Sequence, residues 1–478
     1  MNDIFNDIEK TNIPAIVTEN GTVGYPEMTR VINNTAAKYL DAGIKPKDRI
    51  AIISENSFEY VITIYTLWRL NAVPVLMNIR LTEEELGKQI DFAECSTLLK
   101  SEKFSNYLHE YPSQLLSVEY TDRTINYDNE TNSEDTAVII FTSGSSGEPK
   151  GVEITNSNLF ESYLSITAKY SFASDDRFLA SLPFYHIGGF SIITRTILSG
   201  GTLIIPTSLK TNVIASSLEK YDPTVISLVP TMLKRLIEEK VQPNKNLRLA
   251  FIGGGPSDND LVLTALKLGW PFVKVYGSTE TSSMVSGVEG EKLKAKPASG
   301  GRPFKNVKIK ILDDLYEEVE TFKIGEIAVK SKSIAKGYLK NAKLWNTKIH
   351  NGYYLTGDWG YIDNDGYLFV VSRRSDLIIS GGENIDPKEI EKVMLLHPSI
   401  GEAVVFPIPD KEWGQIPVAV LVIKDGKELS EYEILDYLKK HLSSYKLPKK
   451  IFFTEKFPKT DLGKIDLPSL KKSVNLDL

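Results

Sequence analysis

With 478 residues, 42% of them hydrophobic and 25% charged, the chain can bury more than one core, which excludes intrinsic disorder and predicts two or more domains. Lys and Arg number 56 against 62 Asp and Glu, and the net charge of -6 offers no attraction for nucleic acid or an anionic membrane, so anionic substrates have to be met by individually placed cations. The single cysteine, Cys95, excludes an intramolecular disulfide and a multi-thiolate zinc site, its setting in DFAECSTLL assigns it to packing, and a reducing cytoplasm suits it.

The first ten residues, MNDIFNDIEK, lack the apolar centre of a signal peptide, and the longest apolar stretch, around residues 60–68, is shorter than a bilayer span. From 25 to 100 helix-like and strand-like segments alternate, the pattern of a parallel sheet covered by helices. Pro26 opens a helix that Gly43 ends; residues 49–54 (RIAIIS) read as a strand, 58–71 as a helix and 73–77 as a second strand. The alternation continues through VISLVP (225–230) and LRLAFIGGG (247–255). Between 308 and 330 the strand-like KIKIL and GEIAVK, separated by an acidic turn, predict a smaller β-rich subdomain. Past Ser372, EAVVFPIPD and VAVLVIKD read as strands, and Ser430 with Glu433 forms a capping box ahead of Ile434, Leu435, Leu438 and Leu442. The fold class is therefore α/β, with a large N-terminal domain of layered α/β sheets plus a β-rich subdomain over residues 1–372 and a small α+β C-terminal domain over 373–478. The closing LKKSVNLDL reads as a solvated tail.

IIFTSGSSGEPKGV (139–152) carries the strongest chemical signal. An apolar strand runs into a loop with Thr142, Ser143, Gly144, Ser145, Ser146 and Gly147 and finishes at Lys150. Glycines let backbone N–H groups approach an anion, hydroxyls add neutral donors and the lysine adds a charge, so the loop suits phosphates although its spacing matches neither GxxxxGK[ST] nor GxGxxG.

TSGSSGEPKGV resembles the phosphate loop of the adenylate-forming enzymes, the family of acyl- and aryl-coenzyme A synthetases, firefly luciferase and the adenylation domains of peptide synthetases. YGSTET (276–281), YLTGDWG (354–360), RRSDLIISGGENIDPKEIE (373–391) and PKTDLGKI (458–465) follow in the family's order and spacing and cover most of the chain. The resemblance implies ATP, magnesium and coenzyme A as cofactor and co-substrates, a small carboxylic acid as substrate, and neither nucleic acid nor membrane as partner; homo-oligomeric assembly stays open. It implies that Tyr276 stacks on adenine beside Gly253, Gly254 and Gly255, that Thr279 meets the α-phosphate, and that Glu280 holds magnesium. Asp358 is implied to accept from the ribose hydroxyls, Arg373 to contact ribose or phosphate, and Lys464 to bridge the substrate carboxylate and the α-phosphate. The small domain is implied to be mobile, with a hinge at Ser375, where the family usually has Asp or Lys. Its other face, Gly381, Gly382 and Glu383, is implied to guide the thiol.

LPFYHIGGFSIITRTILSGG (182–201) matches the family's acid-site wall, with His186 and Gly277 as further contacts of the acid. Arg195 interrupts an apolar run from 187 to 198, where a guanidinium is costly without an anionic partner, and a dicarboxylate would supply one. YHIGGFSIITRTI and SLVPTML (227–233) are most similar, within the family, to the o-succinylbenzoate–coenzyme A ligases of menaquinone synthesis. The alternatives are a ligase for another aryl or medium-chain acid, an enzyme loading a carrier protein, and a luciferase-like oxygenase. The aspartate that binds an α-ammonium in amino-acid loaders is not evident.

Overall fold

Short β-rich runs separated by single helices leave the chain little choice but to stack sheets and cover them, and the structure, a computed structural model, does so. It describes residues 13–120, 132–142, 150–255, 257–373, 378–424, 426–458, 465 and 467–474. These form two compact units, the larger reaching from residue 13 to Arg373 without Arg80–Lys88, the smaller joining Arg80–Lys88 to the residues from 378 onward.

The larger unit holds two mainly parallel sheets. One has seven strands in the order Gly337–Tyr338, Lys150–Thr155, Thr136–Thr142, Val73–Leu76, Arg49–Ile53, Thr97–Lys100, Ser113–Leu115. The other has nine, running from Arg302–Pro303 through Ser283–Glu289, Phe272–Ser278, Leu249–Ile252, Val225–Leu228, Arg177–Leu179, Thr202–Ile204 and Pro14–Thr18 to Gly21–Gly24. Parallel strands are buried on both faces and so read as continuous apolar runs, which is why RIAII and VISL were visible in the sequence. The helix Phe58–Arg69 is buried throughout Tyr60–Trp68, and Ile187–Ser199 is buried from Gly189 to Ile197; both contribute to one apolar core with strands of the two sheets. Helices Thr211–Lys220, Pro230–Glu238 and Asn259–Lys267 cover the second face of the nine-stranded sheet.

The β-rich part is a third sheet, antiparallel, in which Lys308–Leu312, Gly325–Lys330, Tyr353–Ile362 and Ile349–His350 lie in order and Leu368–Arg373 pairs with Tyr353–Ile362. The helix Tyr25–Asp41 has its proline at the start and Gly43 beyond its end at φ +88°, a conformation that favours glycine. Burial pushes the Cys95 thiol up to about 12, which suits packing rather than nucleophilic chemistry. No helix among the described residues is long and apolar enough to cross a membrane.

In the smaller unit Glu383–Ile385, Ile378–Ser380, Gly414–Ile423 and Ile400–Asp410 form a sheet, with Lys450–Phe453 parallel to Gly414–Ile423. The helix Glu431–Lys439 begins with the capping box of Ser430 and Glu433 and buries Ile434 and Leu438 against this sheet. The end of the chain corrects the expectation of a solvated tail. Leu467–Ser473 is helical and Leu470 is fully buried with Phe406, Val418 and Phe457, because one helical turn suffices to place the leucine against the sheet while Lys471 lays its ammonium 4.9 Å from the Phe406 ring centroid. Residues 475–478 lie outside the described residues.

Candidate active site

The strands Thr136–Thr142 and Lys150–Thr155 pair antiparallel, and their last rung joins Thr142 to Lys150. Both ends of the phosphate-type loop are therefore fixed by the sheet; Ser143, Gly144, Ser145, Ser146 and Gly147 lie outside the described residues. The Lys150 ammonium stands 6.0 Å from the ring centroid of Tyr338. The Tyr338 hydroxyl donates to Glu280 Oε1 at 2.9 Å, and Ala335 N donates to the Glu280 carbonyl at 2.8 Å. One tyrosine thus links the lysine after the loop to the carboxylate of YGSTET, 130 residues apart in sequence (280 − 150). Nearby Tyr354 is buried, and desolvation, aided by Glu280 and Tyr338, raises its pKa far above the ordinary value, keeping it neutral.

Tyr276, in Phe272–Ser278, donates its hydroxyl to Asp358 Oδ2 at 2.7 Å. Asp358 is buried in Tyr353–Ile362 and opposes Arg373 across the pair with Leu368–Arg373. The glycine run follows Leu249–Ile252, whose last rung pairs Ile252 with Lys274, two residues before Tyr276 on the neighbouring strand. A Cβ on Gly253 would come to 3.0 Å from Val275 Cγ2, and Gly254 has φ +78°, so side chains are disfavoured at both positions.

Thr279 and Glu280 sit in the turn between Phe272–Ser278 and Ser283–Glu289. The Thr281 hydroxyl fastens this turn, accepting from Ser278 N at 2.8 Å and lying 2.6 Å from Ser283 O and 3.0 Å from Ser278 O. Gly277 has to be glycine here, since a Cβ would lie 2.1 Å from Ser283 O. His186 is the residue before the helix Ile187–Ser199, its ring 4.7 Å from that of Tyr185. The turn leading to it is held by Asn56, which donates to Leu182 O at 2.8 Å and accepts from Phe184 N at 2.9 Å.

Arg195 is 3% exposed, and burial lowers its pKa to about 9, leaving it charged at neutral pH. Its Nη2 donates to Ser283 Oγ at 2.8 Å and its guanidinium carbon lies 5.8 Å from the Phe251 ring centroid. Among the described residues no carboxylate is within ion-pair distance of it. The remaining donors of its fork suit an anion that is not part of these residues.

In the smaller unit Gly381 and Gly382 have φ +59° and +88° at the tip of the hairpin Ile378–Ser380/Glu383–Ile385. Gly381 N donates to Trp413 O at 2.9 Å, and a Cβ there would meet the indole at 2.7 Å. Glu383 is buried and pairs with Arg80 at 3.1 Å within the same unit. Lys464 and Ser375 lie outside the described residues, as does the side chain of Arg373.

Sequence reading passed over Tyr338, Thr281, Ser283 and Asn56. None has a local signal, since each acts through a contact with a distant segment or through the shape of a turn.

Known proteins resemble this chain along most of its length. Residues 8–339 match the AMP-binding enzyme family and residues 389–464 the AMP-binding enzyme C-terminal domain. A 2-succinylbenzoate–CoA ligase of Bacillus cereus (strain Q1) is 34% identical over 465 residues, which cover 96% of this chain and 95% of that protein. The o-succinylbenzoate CoA synthetase of Bacillus subtilis, solved as a double mutant with the product analogue OSB-NCoA, matches with a TM-score of 0.92 at 32% identity, covering 98% of both chains. Solved with ATP and magnesium, the same enzyme matches with a TM-score of 0.75 at 32% identity and 98% of both chains. Its complex with the acyl-adenylate OSB-AMP gives 0.75 at 32% identity, over 98% of this chain and 97% of that one.

Proposed function

The chain belongs to the AMP-binding enzyme family, and from that membership we propose that it is an ATP-dependent acid–coenzyme A ligase acting on o-succinylbenzoate. The reaction has two steps. A carboxylate oxygen of the acid attacks the α-phosphorus of ATP and pyrophosphate leaves; the coenzyme A thiol then attacks the acyl carbon of the adenylate and AMP leaves. The observation that carries the choice of acid is Arg195, a buried guanidinium whose only hydrogen-bond partner among the described residues is a serine hydroxyl. A second carboxylate on the substrate compensates the desolvation that a monocarboxylic acid leaves unanswered.

The other residues take their roles from their chemistry. Tyr276 and the glycine run from Gly253 to Gly255 receive adenine, and Asp358, oriented by the Tyr276 hydroxyl, accepts from ribose, with Arg373 nearby on the paired strand. Lys150, Thr142 and the loop residues 143–147 receive the phosphates, and Thr279 the α-phosphate. Glu280 is one hard carboxylate on a strained turn, held by Tyr338, and fits magnesium arriving on a nucleotide, which needs few protein ligands. When bound, magnesium offsets the charge of the leaving pyrophosphate. His186 and Gly277 border the acid. Lys464 stands between two anions in the first step, and Gly381, Gly382 and Glu383 face the thiol in the second. We assign residues 373–478 as the mobile domain that alternates between these tasks about a hinge near Ser375. The cytoplasm is the site of action, a reading supported by the single unpaired cysteine.

A pyrophosphate-release assay over a panel of acids, with and without coenzyme A, tests this reading. We expect o-succinylbenzoate to release pyrophosphate and to give a thioester only when coenzyme A is present; if no acid of the panel brings about pyrophosphate release, the adenylation reading falls. Gly382→Leu separates the steps. Its φ of +88° makes any side chain unfavourable by about 1–2 kcal/mol, so some loss of stability is expected. Pyrophosphate exchange at a temperature where the variant is folded should survive while thioester formation fails, and normal thioester formation would remove the glycine pair from the thiol's path.

A further inference from the structure

We propose that Ser283 is a positioning residue for acid specificity, fixing the Arg195 guanidinium toward the substrate at the expense of a strained backbone. This rests on the reading that Arg195 meets the acid's second carboxylate.

Three buried polar side chains form a directed chain. Arg195 Nη2 donates to Ser283 Oγ at 2.8 Å, Ser283 Oγ donates to Ser191 Oγ at 3.3 Å, and Ser191 Oγ donates to Gly188 O at 3.0 Å. Arg195, Ser191 and Ser283 are 3%, 4% and 8% exposed, so water does not substitute for these contacts. Because the Ser283 proton is directed to Ser191, its lone pairs are left for the guanidinium, and the serine acts as a pure acceptor. It takes one arm of a five-donor fork, which restrains the guanidinium while its carbon lies 5.8 Å from the Phe251 ring centroid and leaves the other arms for a carboxylate.

The backbone gives the second line of argument. Ser282 and Ser283 have φ of +52° and +94°, the left-handed region in which a residue with a side chain is disfavoured and glycine is at ease. The conformation is enforced from outside: Ser162 Oγ donates to Ser282 O at 2.8 Å, the Thr281 hydroxyl lies 2.6 Å from Ser283 O, and Gly277 closes against the same carbonyl. Glycine would fit position 283 with less strain but would have no hydroxyl. Strain kept at two adjacent residues beside a charged group whose partner is the substrate is the signature of a site built for binding rather than stability.

The test uses the full chain and the variants Ser283→Gly, Ser283→Ala, Arg195→Ala and the double variant, with o-succinylbenzoate and a monocarboxylic aryl acid. We expect Ser283→Gly to keep or raise Tm, to raise the KM for o-succinylbenzoate by about tenfold, the range of a hydrogen bond to a charged group, and to leave the KM for ATP where it was. Adding Ser283→Gly to Arg195→Ala should change the KM no further, because the serine acts through the arginine. Ser283→Ala should match the glycine variant in KM but not in Tm, so a loss due to folding is told apart from a loss of the hydroxyl. An unchanged o-succinylbenzoate KM in Ser283→Gly, with a raised one in Arg195→Ala, overturns the inference alone. Unchanged values in both overturn the dicarboxylate reading along with it, and additive effects in the double variant make Ser283 merely structural.

Discussion

Lys464→Ala slows acyl-adenylate formation by about 100-fold or more, the effect of removing one donor aimed at developing transition-state charge, while thioester formation from supplied acyl-adenylate keeps its rate. The carboxylate of the acid and the α-phosphate repel each other as they close, and an ammonium between them is worth most at the moment of closest approach. Once the adenylate exists, one of the two charges is gone and the lysine has little left to do. The residues on both sides are well anchored, Phe457 and Leu470 being 4% and 0% exposed in one apolar cluster, so the substitution is not expected to unfold the domain. Pyrophosphate exchange and a single-turnover reaction of purified adenylate with coenzyme A measure the two steps separately. Equal losses in both would refute this division of labour.

Arg195→Ala raises the KM for o-succinylbenzoate by about 10- to 150-fold, corresponding to a lost charge-assisted contact of about 1.5–3 kcal/mol. The KM for ATP hardly moves. For an acid with no second carboxylate the variant is as good as the parent or better, because the desolvated cation that such an acid leaves unpaired is no longer there. Thermal stability should follow the same logic: burial lowers the arginine's pKa to about 9, so the group stays charged in the neutral range but its desolvation costs the folded state stability, which its removal returns against the loss of the Ser283 hydrogen bond and the Phe251 contact. The alanine leaves a cavity, and Arg195→Met, which refills most of it, should melt at or above the parent temperature. If both acids lose equally, Arg195 is a structural residue and the choice of a dicarboxylate loses its physical support.

What the sequence revealed and what it hid divides along the range of the interactions. The capping box of Ser430 and Glu433, the proline at the start of Tyr25–Asp41 and the apolar strand RIAII are local: their signals lie within a few residues of their effects. The placement of Glu280 by Tyr338, 58 residues away, of Asp358 by Tyr276, 82 away, and of Arg195 by Ser283, 88 away, leaves no trace in composition or period. An interrupted apolar run announces Arg195, but the uncharged hydroxyls that hold it look like any surface serine. Leu470 shows the converse failure, since a leucine followed by two lysines reads as solvated until a sheet is there to receive it.

The rung between Thr142 and Lys150 sets a condition on how the phosphate loop can vary. Both ends of the seven residues 143–149 are clamped by the ladder, so the span they bridge is fixed whatever they contain. Lengthening such a loop from seven to nine residues adds only about 0.2 kcal/mol of closure entropy. Folding therefore hardly selects its length. On the proposed role of the loop, reach does: one residue more or fewer would shift its backbone donors relative to a bound triphosphate by up to about 3.5 Å, more than the width of a hydrogen bond. Among proteins built on this hairpin, loop length should thus drift where nucleotide is no longer used and stay constant where it is, which makes it a gauge of function independent of the residues the loop contains.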